Sequence, residues 1–293
     1  ASDFPIAEGV VCMPLSQALA EGRIEAGDED WSHYHTREWI GAVHAAHFQD
    51  GLFLSLDEGV VLDRPILAHH CTLGENVASC PRHRVQIASN AHAEVVLWSS
   101  ASESSSGMVN AVFEAKVGSG ARLGLDKVQH EQGAVYHLAH EHVVQEKDST
   151  FRIHTVTVQG HWVRNELNVI QQGSGAHTMM HGAYLPKAQE HVDNHTTMDH
   201  TKPHCTSSEL YKGIMYDRST GVFNGKVFVR EDAQLTNAYQ QNANIVADAG
   251  ASINAKPELE IYADDVKCSH GCTVGQFDEE ALFYLKSRGI EDR

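Results

Sequence analysis

Near the C-terminal end the chain reads DDVKCSHGCTVG, Asp264 to Gly275, which sets Cys268, His270 and Cys272 within five positions. Cysteine sulfur and imidazole nitrogen are soft donors suited to iron, zinc or copper(I). If this stretch continues a strand from LEIYADDV, residues 264, 266, 268, 270, 272 and 274 share one face. The three donors then lie between Val266 and Val274, while Asp265, Lys267, Ser269 and Thr273 point the other way. The donor face is also the apolar one, where cysteine packs as a small hydrophobe. On the pattern alone, ligation and packing both stay open. Gly271 offers a place to bend, which would take Cys272 off the shared face. Three donors on one strand are strained for a closed tetrahedral site, so a fourth ligand has to come from elsewhere.

Other residues invite similar readings. HLAHEH (His137, His140, His142) puts His140 and His142 on one side of a strand beside Glu141. This is the basis for an alternative reading, a stand-alone metal-dependent β-fold enzyme of cupin type, although the glycine and downstream glutamate of that motif are missing. In HVDNHTTMDHTKPHC, the spacing of His191, His195, His200, His204 and Cys205 suits neither a helical face nor a strand. His33 and His35 have no partner in sight. Surface or turn histidine is the simpler reading of each. GSGARLG (Gly118–Gly124) has one residue too many for a dinucleotide loop and reads as a turn. GVFNGK is too short for a phosphate loop and lacks the following Ser or Thr, so no nucleotide is expected on this chain. No Gly-x-Ser-x-Gly nucleophile elbow occurs. SSASESSSG, Ser99 to Gly107, reads as a polar loop.

The elements that must position these residues are mostly strands. WSHYHTREWIGAVHAAHFQ (31–49) predicts a helix, with Trp39, Val43 and Ala46 or His47 at helical spacing. After Gly51 come short runs rich in β-branched residues, among them HRVQIAS, AEVVLWSS, FRIHTVTVQG and GKVFVRE, broken by Gly, Asn or Asp. No amphipathic helix separates them, which argues against a βαβ layout and for a sandwich, barrel or solenoid. In FRIHTVTVQG, Phe151, Ile153, Thr155 and Thr157 oppose Arg152, His154, Val156 and Val158. No repeat of fixed length stands out. FDEEALFYLKSRGI predicts a short closing helix with Asp278 as its cap and Gly289 past its end. Its Leu282, Phe283 and Leu285 must pack on something.

Composition narrows the partners. Thirty-nine acids against 22 bases give a formal charge of −17, which argues against nucleic acid or anionic membrane, since both demand a concentrated positive surface. Mean hydropathy is −0.33, and no apolar run approaches the roughly 20 residues of a membrane span. The first residues, ASDFPIAEGVVCM, lack the features of a secretory signal, and a cytoplasmic chain is expected. Six cysteines in 293 residues are too sparse for a disulfide scaffold, so free thiols are expected.

Four stretches carry a family resemblance: HTKPHCTSSELYKG, VFNGKVFV, AQLTNAYQQNANIV and KPELEIYADDVKCSHGCTVGQFDEEALFYLKSRGI. Here the chain resembles the SufB/SufD family of the SUF iron–sulfur cluster assembly machinery. ADDVKCSHG and PHCTSSELYKG bring it closer to the SufD branch than to the SufB branch. The resemblance runs from about Arg37 to Ile290 and is densest after Arg164. It implies an all-β fold, a right-handed parallel β-helix with short helical segments at both ends. The expected division is a partly helical segment at 1–50, a β-helix core at 51–275 and the start of a helical region at 276–293, both flanks shorter than in the family. The resemblance also implies a non-catalytic scaffold that pairs with SufB and the ATPase SufC. His270, with Cys268 as a second participant, would contribute to a nascent cluster shared with SufB, whose residues would complete the ligand set. Cys272 stands where many relatives have a small residue, so no family role passes to it beyond that of a possible extra ligand. The short C-terminal region bears on SufC binding, and a homodimer through the same edge is expected when SufB is absent.

Overall fold

The computed structural model describes residues 8–24 and 39–290. Their strands stack into a parallel β-solenoid of about eight turns. One sheet runs through β2 (Leu52–Leu56), β5 (Arg82–Ile87), β7 (Ser106–Val117), β9 (Ala134–Gln145), β11 (Trp162–Gln171), β13 (His191–His200), β15 (Thr220–Val229) and β17 (Ser252–Ile261). Two short strands border it. β1 (Val10–Pro14) joins β2 antiparallel, and β4 (Val77–Ser79) pairs with β7. The other sheet runs through β3 (Ile66–Thr72), β6 (His92–Ala101), β8 (Arg122–Glu131), β10 (Thr150–Gln159), β12 (His177–Tyr184), β14 (Thr206–Met215), β16 (Thr236–Val246) and β18 (Val266–Gln276). The β-branched runs of the sequence are these strands, and the chain changes sheet at each turn.

The corners explain why no fixed repeat is legible. Asn90, Gly120, Asp148, Gly175 and His204 occupy successive corners with positive φ. Each sends its N–H to the corner of the next coil, to Ser119, Lys147, Ser174, Pro203 and Gln234 respectively. Left-handed backbone is cheap for glycine and tolerated by Asn, Asp and His, so the corner has a conformation in common rather than a residue. Coil length varies too. Register partners are 29 residues apart at Asn165 and Asn194, 31 at Glu209 and Gln240, and 32 at Thr220 and Ser252. GSGARLG holds one of these corners, as its reading as a turn predicts. Ser99–Gly107 is not a continuous loop, because it includes the end of β6 and the start of β7.

Alternation within strands holds well. In β10, Phe151, Ile153, Thr155 and Thr157 are buried, with Arg152, His154, Val156 and Val158 on the outer face. The interior packs large against small. Tyr211 lies in register with Gly182, and Tyr184 with Gly213; a Cβ at either glycine would run into the neighbouring ring. Polar pairs are also sealed inside: Lys127 Nζ with Glu141 at 2.5 Å, His137 with Glu131 at 2.7 Å, and Asn165 between Gln129 and Asn194. Buried groups of this kind hold only because each has a partner.

Two expectations about helices need correcting. α1 (Leu15–Ala20) buries Leu15 and Ala18 beside Phe53. α2 (Trp39–His47) is the second half of the helix expected at 31–49; residues 31–38, with His33 and His35, lie outside the described residues. Its inward side is not Ala46 or His47, which are exposed, but Gly41 and His44, whose Nε2 lies 3.2 Å from the Pro81 carbonyl. α3 (Glu279–Ser287) has the predicted ends. Asp278 Oδ1 accepts from the N–H groups of Glu280 and Ala281, and Gly289 has φ +82°. The Ile290 N–H to Leu285 and Gly289 N–H to Lys286 bonds complete a Schellman closure. Its apolar residues do not pack: Phe283 is 73% exposed and Leu285 41%. No helix among the described residues is long and apolar enough to cross a membrane.

The ring-over-glycine contacts predict that Gly182→Ala destabilises the protein by about 1–3 kcal/mol, the usual cost of overpacking. Urea unfolding measures this, and an unchanged midpoint would show that the Tyr211 ring yields without cost.

Candidate functional site

β18 is the last strand, and its ladder to β16 runs without a register break from Thr236–Val266 to Val246–Gln276. Gly271 therefore does not bend it, and a Cβ there would meet nothing within 4 Å. Cys268, His270 and Cys272 keep one face, in register with Ala238, Gln240 and Asn242 of the coil beneath. Those three are buried interior residues, so the donors continue the interior one layer further. Among the described residues no coil follows to cover them. Cys268 is accordingly half-buried against the core, whereas His270 and Cys272 are exposed. On the other sheet, Ile253 and Ala255 pack on the interior beneath them, and Leu259 packs on the main core. The solenoid thus ends in a surface that is apolar along β17 and donor-bearing along β18.

Spacing limits what this strand can bind. At about 3.3 Å per residue, side chains two apart on a strand stand about 6.6 Å apart, and those four apart about 13 Å. A single ion with ligand bonds near 2.3 Å cannot reach Cys268 and Cys272 together. Among the described residues no group of three or more His, Cys, Asp or Glu side chains is arranged to hold a metal ion. The site is half-built: it presents donors singly along an edge, and the rest of any ligand set must approach from outside.

Both thiols are held protonated. Burial raises the pKa of Cys268 against the opposing Ala238 backbone hydrogen bond, and burial raises that of Cys272. Neither is an activated nucleophile, so a thiolate here would need a metal or another cation to displace the proton. The Cys272 thiol donates to Asn242 Oδ1 at 3.8 Å. The six cysteines are all free.

The other histidines do not converge. His137 faces inward to Glu131, while His140 is on the outer face with its Nδ1 3.2 Å from Glu166. His142 shares that outer side by strand alternation, so the cupin-like grouping does not form. The segment from His191 to His200 is a strand after all. His191 and His195 lie on its outer face, His200 lies inside against Ser207, and His204 takes a corner. The spacing looked wrong for a strand because His200 has the opposite parity and His204 lies beyond the strand's end.

Sequence reasoning missed the layer below the donors. Glu209 on β14 is buried, accepts from Thr196 Oγ1 at 2.5 Å and from Gln240 Nε2 at 2.8 Å, and its pKa is pushed up to about 7, first by burial. The available signal was TNAYQQNANIV, a strand whose inward positions include Gln240, Asn242 and Asn244. An isolated polar run says nothing about parity until the register is known.

A carboxyl whose folded pKa lies above its unfolded value binds more protons folded than unfolded. Its contribution to stability is therefore full below about pH 4.5 and is lost as pH rises through about 7. Glu209→Gln removes that slope. Its stability relative to wild type should climb between pH 4.5 and 7 and then level off, as read by urea unfolding across that range. A pH-independent difference would mean that the carboxyl titrates normally.

Comparison with known proteins agrees with this geometry. Residues 70–293 match the family model described as SUF system FeS cluster assembly, SufBD core domain. The chain is 33% identical over 234 residues to the iron–sulfur cluster assembly protein SufD of Escherichia coli, an alignment covering 78% of this chain and 55% of that protein. It is 37% identical over 183 residues to a SufBD family protein of Synechocystis, covering 62% and 40%. Against SufB of Bacillus subtilis the identity is 24% over 289 residues, covering 98% and 62%. The chain thus spans about half the length of the SufD protein it matches. A parallel solenoid matched by this one model along most of its coils makes the chain a member of the SufB/SufD family of SUF iron–sulfur cluster assembly proteins.

Proposed function

We propose that this chain is a non-catalytic scaffold subunit of the SUF assembly complex, pairing with SufB and the ATPase SufC in the cytoplasm. Residues 51–275 are its β-helix core, 1–50 a partly helical N-terminal segment and 276–293 the start of a C-terminal helical region. His270 and Cys268 bind iron of the nascent cluster, which is cargo built on the complex, and SufB supplies the remaining ligands; Cys272 is a further donor at the rim.

The observation that carries this reading is the uncovered last layer. Cys268 and His270 lie in register above a finished interior, on an edge strand whose outer hydrogen-bonding groups have no coil to pair with among the described residues. An exposed edge of this kind pairs with a strand of another chain. The neutral thiols agree with a site that becomes a ligand set only when metal and partner arrive together. The relatives named as assembly proteins support the same class of role. A stand-alone enzyme built on His137, His140 and His142 finds no support, because these side chains point to opposite faces of β9.

Anaerobic reconstitution of the chain co-expressed with SufB and SufC tests the proposal. His270→Ala should leave the subunits assembled and lower iron and sulfide on the purified complex at least tenfold. Wild-type cluster content with assembly intact would remove His270 from the chemistry. Light scattering on the chain alone tests the shared edge. A dimer is expected, and a strictly monomeric mass would count against self-pairing.

A further inference from the structure

The coil beneath His270 contains a buried acceptor with nothing to accept. Both oxygens of Glu209 are engaged, Oε1 by Thr196 Oγ1 and Oε2 by Gln240 Nε2. This contact decides how the Gln240 amide lies, with its NH2 group toward Glu209 and its carbonyl oxygen turned away. Gln240 is 3% exposed, and that Oε1 is buried without a hydrogen-bond partner. Leaving such an oxygen unsatisfied costs about 1–3 kcal/mol, and an orphan of this kind calls for an explanation.

The register supplies one. Gln240 and His270 are directly paired positions of β16 and β18, on the same face of adjacent strands about 4.8 Å apart. The side chain paired with Gln240 in the layer above is therefore the imidazole, which is exposed. The next position repeats the arrangement. Asn242 Nδ2 donates to the Tyr211 carbonyl, and its Oδ1 receives the Cys272 thiol from the terminal layer. Two amides are thus held from below; Asn242 Oδ1 also accepts from Asn244 Nδ2, and of the two only the Gln240 oxygen is left without a partner.

We propose that Gln240 is the positioning residue of His270: its Oε1 accepts the N–H of one imidazole nitrogen, which selects the tautomer and leaves the other nitrogen's lone pair for iron, while Glu209 sets the direction in which the amide points. The proposal rests on the reading of His270 as an iron ligand. Histidines that bind metal generally donate their second ring N–H to an oxygen acceptor, which orients the ring, and loss of that acceptor typically costs 10–100-fold in affinity. Here the acceptor is a neutral amide, which takes the ring N–H as a hydrogen bond without taking its proton. The carboxylate that would compete for the proton is kept one coil further away.

Long-range proton–nitrogen NMR of the His270 ring, at pH 8 where Glu209 is ionised and both its oxygens accept, on the full chain alone and bound to SufB, tests this without any metal present. Wild type should show a single dominant tautomer in the SufB complex. Gln240→Met, close in shape but with no acceptor, should leave the two tautomers mixed. Glu209→Gln offers an N–H where the carboxylate accepted, which should turn the Gln240 amide over and shift the ring to the other tautomer. Equal tautomer populations in all three proteins, each folded by circular dichroism, would overturn the proposal. Iron(II) and sulfide loading of the complexes reads the consequence separately, with at least a tenfold loss of iron affinity expected for Gln240→Met. If His270→Ala keeps its cluster while Glu209→Gln still reverses the tautomer, the hydrogen bond is real and the ligand reading fails. If His270→Ala loses the cluster and the tautomer never moves, the ligand reading stands and the positioning role fails.

Discussion

A parallel solenoid satisfies its backbone by pairing every coil with the coil on either side, and the last coil has only one neighbour. Everything at the C-terminal end follows from that constraint. Among the described residues, β17 and β18 offer an outer row of N–H and C=O groups that no coil takes up, and the layer of side chains that would be core one coil earlier is left half-exposed. Natural proteins blunt such edges when they have no use for them. β17 contains Pro257, which has no N–H to offer and is a residue confined to edge positions in sheets. β18 has no comparable block and carries Cys268, His270 and Cys272. The donor strand is the more open of the two edges.

The interior is a compromise between packing and polarity. Aliphatic side chains such as Leu123, Leu125 and Ile153 share the interior with polar ones in early coils, among them Lys127, Gln129 and Glu131, and in later ones, among them Glu209, Gln240, Asn242 and Asn244. Each polar group taken out of water must find a partner among its neighbours. The partners are largely on adjacent coils, so a hydrogen bond inside one layer constrains the layer above. Glu209 fixes the Gln240 amide, and Asn244 Nδ2 reaches Asn242 Oδ1 at 2.5 Å while its own Oδ1 takes the Tyr184 hydroxyl. Rigidity of this kind transmits a preferred orientation to the terminal layer, where a packed aliphatic interior would transmit only shape.

Much of this was legible in advance. Side-chain alternation in a strand is a local property, and it correctly put Phe151 and Ile153 on one face, which the structure buries, and Cys268, His270 and Cys272 on one face. The cap at Asp278 and the closure at Gly289 were legible for the same reason, since their hydrogen bonds span only a few residues. The corner series from Asn90 to His204 was hidden, because what repeats is a left-handed backbone rather than a letter. The helix at 39–47 was visible, but its inward side was not: burial of His44 depends on where the Pro81 carbonyl lies, and Pro81 is distant in the chain.

The chain's own order of residues determined that it would be strands, which side chains would share a face, and that its last strand would carry sulfur and imidazole together. These properties arise from backbone geometry over a few residues and need no knowledge of neighbours. Only the tertiary structure decided that no coil covers this face among the described residues, that Gln240 and Glu209 lie beneath His270, and that His137 meets Glu131 while His140 meets Glu166. Those facts depend on pairing across coils 26 to 32 residues long. A shift of one residue in such a pairing would exchange inside for outside along the whole strand.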